Sequence, residues 1–163
     1  MIDLRFPTTL FAMMLVADAE QAGRPMVSSS ELATKLDNNA SFVRALAAPL
    51  VRDGLLTSTR GRSGGLALGR PATEITLRDV YRSAIGGKRI WDQRDEMPHV
   101  DVVTTNACRY FEALTDEIED AVASMLGDKT LADSLADLKA LPQPPVPPQR
   151  GATGAASRTS SLK

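Results

Sequence analysis

Residues 59–80 read TRGRSGGLALGRPATEITLRDV, and this stretch decides the fold. Its glycine-rich part, residues 61–65, tolerates positive φ angles and separates two short extended runs at 55–60 and 66–70. Two extended runs on either side of such a turn predict a β-hairpin. The pattern after the hairpin predicts a short helix over 76–85.

The segment before the hairpin predicts three helices, over 5–22, 29–37 and 41–53. The turn between the second and third helices is short and polar, with the sequence DNNA at 37–40, as a helix-turn-helix requires. Three helices followed by a hairpin are the order of a winged helix-turn-helix domain. The predicted fold class is therefore mainly α with a small β-hairpin wing, to which a long dimerisation helix is added.

The third helix of such a domain lies in the major groove of DNA, and its first turn is nearest to the base edges. Hydroxyl and guanidinium side chains can bind bases or phosphates, and arginines on a glycine-rich hairpin tip can enter the narrow minor groove. The candidate DNA-binding residues are Asn38, Asn39, Ser41, Phe42, Arg44, Arg60, Arg62, Ser63, Gly64 and Gly65.

Charge is unevenly distributed along the chain, although the formal net charge is only −1. Residues 41–70 carry five arginines against Asp53 alone, whereas residues 71–140 carry 8 basic and 14 acidic side chains. A polyanion would therefore meet the first half of the chain, because the second half repels phosphate. A charge cluster on a solvated face, without a partner, is the alternative interpretation.

Apolar residues recur at heptad spacing in a long helix predicted over 105–126. They are Ala107, Phe111, Leu114, Ile118, Ala121 and Met125. Such a seam predicts that the helix pairs with its copy in a second subunit. The expected dimer-interface residues are Phe111, Leu114, Ile118 and Met125. Packing of the same seam within the monomer is the alternative.

The chain divides into four predicted segments. A winged helix-turn-helix domain at 1–86 is followed by an irregular sensor or linker loop at 87–104. Dimerisation helices occupy 105–140 and include a last short helix at about 130–139. The final segment, 141–163, is rich in proline and carries three basic and no acidic residues. We expect this basic tail to be disordered, because proline removes backbone donors and the other residues are small and polar.

Composition and motifs exclude several classes of protein. One cysteine and one histidine rule out a disulfide framework and the zinc sites that need several such ligands. The longest apolar run, residues 10–17, is far shorter than the ~20 residues that cross a bilayer, and its flanks differ from those of a secretory signal peptide. The sequence has no glycine-rich phosphate loop, metal motif or nucleophile elbow. It therefore predicts a cytoplasmic protein that is not an enzyme.

The wing motif RGxxGG at 60–65, together with ITLxDV at 75–80, resembles the Rrf-two (Rrf2) family of bacterial transcription regulators. The resemblance covers about residues 1–138 and includes 41–55, where the family has its recognition helix. It implies a homodimer that binds a pseudo-palindromic operator, mainly as a repressor. Family members with an iron–sulfur cluster, such as IscR, have three cysteines between the fourth helix and the dimer helix, whereas this chain has only Cys108 there. We therefore expect no cofactor and no cluster of the usual kind.

Two residues are candidate sensors: Cys108 near the start of the long helix, and Trp91 in the irregular segment before it. Cys108 lies near a helix N-terminus, where the macrodipole favours the thiolate, but a free cysteine is also often a small buried residue. Trp91 could line an effector pocket, or it could fill the gap between the winged domain and the dimer helix. His99 is expected to be a loop residue rather than a ligand.

The predicted partners are double-stranded DNA, a second copy of the chain and a small-molecule or redox effector, with no membrane among them. A winged helix that contacts other proteins and no longer binds DNA is the alternative function. An enzyme that uses Cys108 and His99 as nucleophile and base is a third interpretation, and no accompanying motif supports it.

Overall fold

The computed structural model describes residues 4–61, 64–91 and 100–142. Across these ranges the chain forms six helices and one two-stranded antiparallel sheet. The elements are α1 (Arg5–Gln21), α2 (Ser29–Lys35), α3 (Ala40–Arg52), β1 (Leu56–Thr59), β2 (Gly65–Leu68), α4 (Leu77–Ile85), α5 (Val102–Gly127) and α6 (Leu131–Ala140). This order confirms the predicted winged helix-turn-helix with a long helix after it. Apart from the start of α5, the elements begin and end within about two residues of their predicted bounds, as expected where helix ends fray.

Short polar side chains set the N-terminal ends of the helices. The hydroxyl of Ser28 accepts a hydrogen bond of 3.1 Å from the backbone N–H of Glu31 and caps α2. The side-chain oxygen of Asn39 accepts one of 2.9 Å from the N–H of Phe42 and caps α3. Between the two helices Asp37 adopts a left-handed φ of 49°. These contacts define the short turn of the helix-turn-helix, because they fix the residue at which α3 begins.

A reciprocal capping box starts α4. The Thr76 hydroxyl accepts from the N–H of Asp79, and the Asp79 carboxylate accepts from the N–H of Thr76, both at 3.1 Å. Burial raises the pKa of Asp79, but the hydrogen bonds from Thr76 and the charge of Arg70 outweigh it and hold that pKa below its usual value. Arg70 Nη2 lies 3.2 Å from the same carboxylate. Asp79 therefore also joins the segment after the wing to α4.

The wing is paired on both edges of β2. On one edge β2 pairs with β1, and Thr59 lies opposite Gly65. On the other edge Val27 exchanges two backbone hydrogen bonds of 2.9 and 2.8 Å with Leu66. A Cβ atom on Gly65 would lie 2.6 Å from the carbonyl oxygen of Val27. Glycine is required at this position because two backbones approach each other closely.

One apolar core joins the first four helices, the wing and α6. Its fully or almost fully buried members include Met13, Val16, Leu32, Val43, Leu50, Leu55, Leu66, Ile75, Val80, Leu131 and Leu135. The aromatic content of the chain is low, so aliphatic side chains supply this core. The core holds α3 and the wing in a fixed relation, which is what a surface built from both of them requires.

The last helix, α6, packs into this core. Leu131 is fully buried, and its N–H donates to the carbonyl of Ile75 at 2.8 Å. Near the other end of α6, Lys139 Nζ lies 2.6 Å from the carboxylate of Asp18 on α1, and its hydrogen bond lowers the pKa of Asp18. Leu131 and Leu135 complete a core built by the winged domain, and the grouping of α6 with the dimerisation segment stays a prediction.

The longest element, α5, is also the least buried. It begins at Val102, three residues before its predicted start, because Asp101 and Thr104 form a capping box. Thr115 is the one buried residue among its 26 residues. One side of α5 packs on α4, and much of its apolar surface is exposed. None of the described helices contains an apolar stretch that could span a lipid bilayer.

Candidate nucleic-acid interface

The sides of α3 have different surroundings, because successive helical residues are turned by about 100°. Its buried side carries Val43, Ala47 and Leu50. Arg44 is turned toward the wing, whereas Phe42 is turned toward α1 and α4. The exposed outer face carries Ser41, Ala45 and Ala48. Small side chains on this face would let the helix approach a DNA groove closely, with Arg44 at one edge.

A groove of about 730 Å³ separates α3 from the wing. One wall comprises the start of α2 and one side of α3, and the other comprises β1, the hairpin tip and the start of β2. Its polar lining residues are Ser28, Ser29, Ser30, Arg44, Ser58, Thr59 and Arg60. Hydroxyl and guanidinium donors of this kind bind phosphate oxygens and base edges in protein–DNA complexes. The groove therefore joins α3 and the wing into one surface suited to a nucleic acid.

The two arginines of this groove, unlike the nearby Arg52, have no carboxylate partner among the described residues. Among the described residues, no ion pair involves Arg44 or Arg60. Arg44 Nη2 lies 3.4 Å from Ser41 Oγ. By contrast, Arg52 lies 2.8 Å from the carboxylate of Asp53, and this hydrogen bond raises the pKa of Arg52 and lowers that of Asp53. Two uncompensated positive charges thus line the groove.

Phe42 lies apart from Arg44, although both belong to the first turns of α3. It lines an apolar groove of about 410 Å³ with Leu4, Leu46 and Pro49, between α3 and the start of α1. Two residues two positions apart on a helix point about 200° apart, which places Phe42 on the side away from the wing. Phe42 and Arg44 therefore line different grooves, and a DNA-binding role for Phe42 stays a prediction.

The asparagines at the turn have structural partners. The side-chain oxygen of Asn39 caps α3, and that of Asn38 accepts a hydrogen bond of 3.0 Å from the N–H of Asn39. Both oxygens therefore shape the turn before α3. Ser41 and Arg44, in contrast, are exposed on the first turns of α3, as predicted.

The candidate residues of the wing divide into backbone and side-chain roles. Gly65 has the close backbone contact described above, and a Cβ atom on Gly64 would collide with a carbonyl of β1. These glycines allow the hairpin to close. Arg60 is exposed and lines the groove. Arg62 and Ser63 lie outside the described residues.

Trp91 lies against α5. Its indole N–H donates to the hydroxyl of Thr115 at 2.9 Å, and that hydroxyl donates to the carbonyl of Phe111 at 2.6 Å. Just before Trp91, Arg89 forms an ion pair with Asp116. These contacts favour the interpretation of Trp91 as a residue that fills the junction with the long helix. Thr115 was not predictable as a partner of Trp91, because a threonine inside a heptad pattern gives no signal of a buried hydrogen bond.

The donor residues of the chain do not fit an iron–sulfur cluster of the usual kind. Such clusters are held by several thiolates, typically four. The chain has one cysteine, Cys108, which is half-buried on α5, and one histidine, His99, which lies outside the described residues. In the part of the chain that the structure describes, no three His, Cys, Asp or Glu residues are placed to hold a metal ion.

The heptad seam of α5 is only partly covered within one chain. Phe111 is 50% exposed and Met125 is 76% exposed. Leu114 and Ile118 are half-buried. Val102, at the start of the same helix, is also exposed. The residues that the structure describes therefore leave an apolar row along α5 open to solvent.

Comparison with known proteins agrees with this arrangement. The family model Rrf2, described as an iron-dependent transcriptional regulator, matches residues 4–137. The Lactococcus lactis protein YffB, whose name describes it as an HTH-type transcriptional regulator, is 30% identical over 109 residues, which are 65% of this chain and 69% of YffB.

Two solved structures share the fold. IscR from T. potens has a TM-score of 0.63 at 22% sequence identity, over 88% of this chain and 93% of that one. CymR (YrzC), the global cysteine regulator of B. subtilis, has a TM-score of 0.61 at 24% identity, over 84% and 97%. The family match itself extends from the start of α1 into α6. The chain therefore belongs to the Rrf2 family, and it is a DNA-binding transcriptional regulator rather than an enzyme.

Proposed function

We propose that the chain is a homodimeric repressor that binds a pseudo-palindromic operator without an iron–sulfur cluster. The observation that carries this proposal is the pair of uncompensated arginines, Arg44 and Arg60, on the two walls of the groove between α3 and the wing. In the bound state α3 enters the major groove with Ser41 and Arg44 near the base edges. The wing then brings Arg60 to the adjacent minor groove, where the potential attracts arginine.

The exposed seam of α5 supports the homodimer. Two copies of the long helix would cover Phe111 and Met125, which one chain leaves exposed. A two-fold dimer presents two copies of α3 and therefore reads two related half-sites, which is why the operator is pseudo-palindromic. The net negative charge of residues 71–140 turns α5 away from the phosphates. Repression needs no further surface, since a dimer that covers a promoter excludes the polymerase.

The test is a salt titration of DNA binding by the full-length double variant Arg44→Gln/Arg60→Gln. Fluorescence anisotropy is measured on a labelled DNA fragment from upstream of the protein's own gene. Each arginine that contacts a phosphate contributes about 0.9 to the slope of log affinity against log salt. We expect the double variant to bind at least about tenfold more weakly and its slope to fall by about two.

Arg52→Gln is the matched control, because Arg52 lies on the same helix but is already paired with Asp53. Its affinity and salt slope should stay close to those of the parent protein, and melting curves establish that all variants fold. Equal affinity of the double variant and the parent would contradict the proposed interface. That result would favour a winged helix that contacts another protein.

A further inference from the structure

A second concave surface lies between the C-terminal half of α4 and the middle of α5. Its volume is about 420 Å³, within the roughly 300–1,000 Å³ of small-molecule sites. Gly86 and Gly87, both with positive φ, end α4 at the rim of this cleft and turn the chain toward α5. Tyr81 and Ala123 contribute apolar surface to its lining. The cleft is separate from the groove that faces the DNA.

The two walls of this cleft carry charges of opposite sign. Arg82 and Lys88 come from α4 and the turn after it, whereas Glu119 and Asp120 come from α5. Between described residues, Glu119 has one ion-pair partner, Arg89, at 3.9 Å, whereas no ion pair involves Arg82, Lys88 or Asp120. Arg82 and Lys88 on one wall and Asp120 on the other therefore offer charges of both signs to a ligand that carries both signs.

A small zwitterion is more complementary to these two walls in charge than other charged ligands are. The guanidinium of Arg82 can bind a carboxylate through two parallel hydrogen bonds. An ammonium group would lie next to Glu119 and Asp120, and the apolar part of the ligand next to Tyr81. The acidic wall would repel a dianion such as a sugar phosphate, and the basic wall would repel a polyamine.

We propose that the cleft between α4 and α5 binds a free amino acid. Its regulatory consequence rests on the proposed function, because α4 belongs to the winged domain and α5 to the proposed dimer contact. Glu119 accepts a hydrogen bond of 3.0 Å from the N–H of Ile90 and lies 3.9 Å from Arg89 Nε. A bound ammonium group competes for this carboxylate with the segment that docks on α5. The amino acid thereby changes how the winged domain is held on α5.

The binding test uses the full chain without DNA, so that its outcome is independent of the DNA interface. Each common L-amino acid is titrated by isothermal calorimetry at low ionic strength. Every amino acid that binds is compared with its N-acetyl derivative and with the amine that lacks the carboxylate. We expect at least one amino acid to bind and both derivatives to bind at least about tenfold more weakly, since each lacks one of the two charges.

Two variants place the ligand in the cleft. Asp120→Asn and Lys88→Gln should each weaken binding at least about fivefold without changing the melting temperature of the free protein. Asp128→Asn, an exposed position after α5 and outside the cleft, is the matched control and should bind like the parent. No binding of any amino acid at millimolar concentration, or equal binding by the two variants and the parent, would overturn the site.

The regulatory part has its own measurement. Anisotropy of the labelled DNA fragment is recorded with and without a saturating concentration of the amino acid that binds. A change in DNA affinity of at least about threefold supports the coupling. An unchanged DNA affinity overturns the coupling, and a chain that binds the amino acid but no DNA contradicts the proposed function instead.

Discussion

Gly65 and Gly127 both lie within packed elements, yet their surroundings constrain them differently. A Cβ atom on Gly65 would meet the carbonyl oxygen of Val27 at 2.6 Å. A Cβ atom on Gly127, at the end of α5, would meet the guanidinium carbon of Arg78 at 3.0 Å. A paired backbone cannot withdraw without breaking its hydrogen bonds, whereas the end of an arginine side chain can move. Glycine is therefore required at position 65, whereas position 127 can accept a larger residue.

We expect Gly65→Ala to lower the free energy of unfolding by about 1–3 kcal/mol, the usual cost of overpacking. Gly127→Ala should leave it near the parent value, because the helix propensity gained from alanine, up to about 1 kcal/mol, offsets the displacement of Arg78. Urea denaturation of both variants measures the difference. A Gly65→Ala protein as stable as the parent would contradict the close approach of β2 to Val27.

Which single residues line the interface was only partly predictable from the sequence. The position of Arg44 on the third helix and of Arg60 on a glycine-rich hairpin tip followed from local patterns. The side of α3 that Phe42 occupies did not, because it depends on where α1 and α4 pack. The role of Asn39 as a cap follows from helix chemistry, and the sequence interpretation gave preference to DNA contacts instead.

At the scale of elements, α5 differs from every other helix of the described chain in how little of it one chain buries. Heptad spacing predicted the seam. In the structure Leu114 and Ile118 are half-buried, whereas Phe111 and Met125, which belong to the same seam, are exposed. A charge at Leu114 or Ile118 would disturb packing within the monomer as well as any contact between chains. Phe111 and Met125 are the cleaner positions for a test of pairing.

Phe111→Glu/Met125→Glu should convert a dimer into a folded monomer, because two carboxylates in each copy of the seam would be buried without partners. Sedimentation velocity measures the molecular mass, and a melting curve close to that of the parent shows that the winged-domain core is intact. Leu138→Glu is the control, since Leu138 is an exposed leucine on α6 outside the seam. A wild-type protein that sediments as a monomer at micromolar concentration would contradict pairing.

Across the whole molecule, the winged order was predictable because glycines, caps and hydrophobic periodicity act locally. The position of α6 was not, because its leucines would suit either a dimer contact or a monomer core. Leu131 and Leu135 are buried only when the tertiary fold brings α6 onto α1. The uneven distribution of charge was also predictable from the sequence. Basic residues line the groove beside α3, and acidic residues lie along α5.

The number of cysteine ligands in the whole molecule predicts that it does not assemble an iron–sulfur cluster. The proposed homodimer would contain two copies of Cys108, fewer than the four thiolates that usually hold an iron–sulfur cluster. Anaerobic incubation with ferrous iron and sulfide, followed by desalting, should leave a protein without the visible absorption of a cluster. Cys108→Ser should bind DNA like the parent in reducing buffer. A brown protein with stoichiometric iron would contradict this expectation.

The contact between Trp91 and Thr115 has an optical consequence. The chain contains a single tryptophan, so all of its indole emission originates where the segment after α4 meets the long helix. Indole fluorescence responds to hydrogen bonding and to water at the ring. Any event that lifts this segment from α5 would therefore shift the emission of the unlabelled protein. Trp91 is therefore an intrinsic fluorescent probe of the junction between the winged domain and α5.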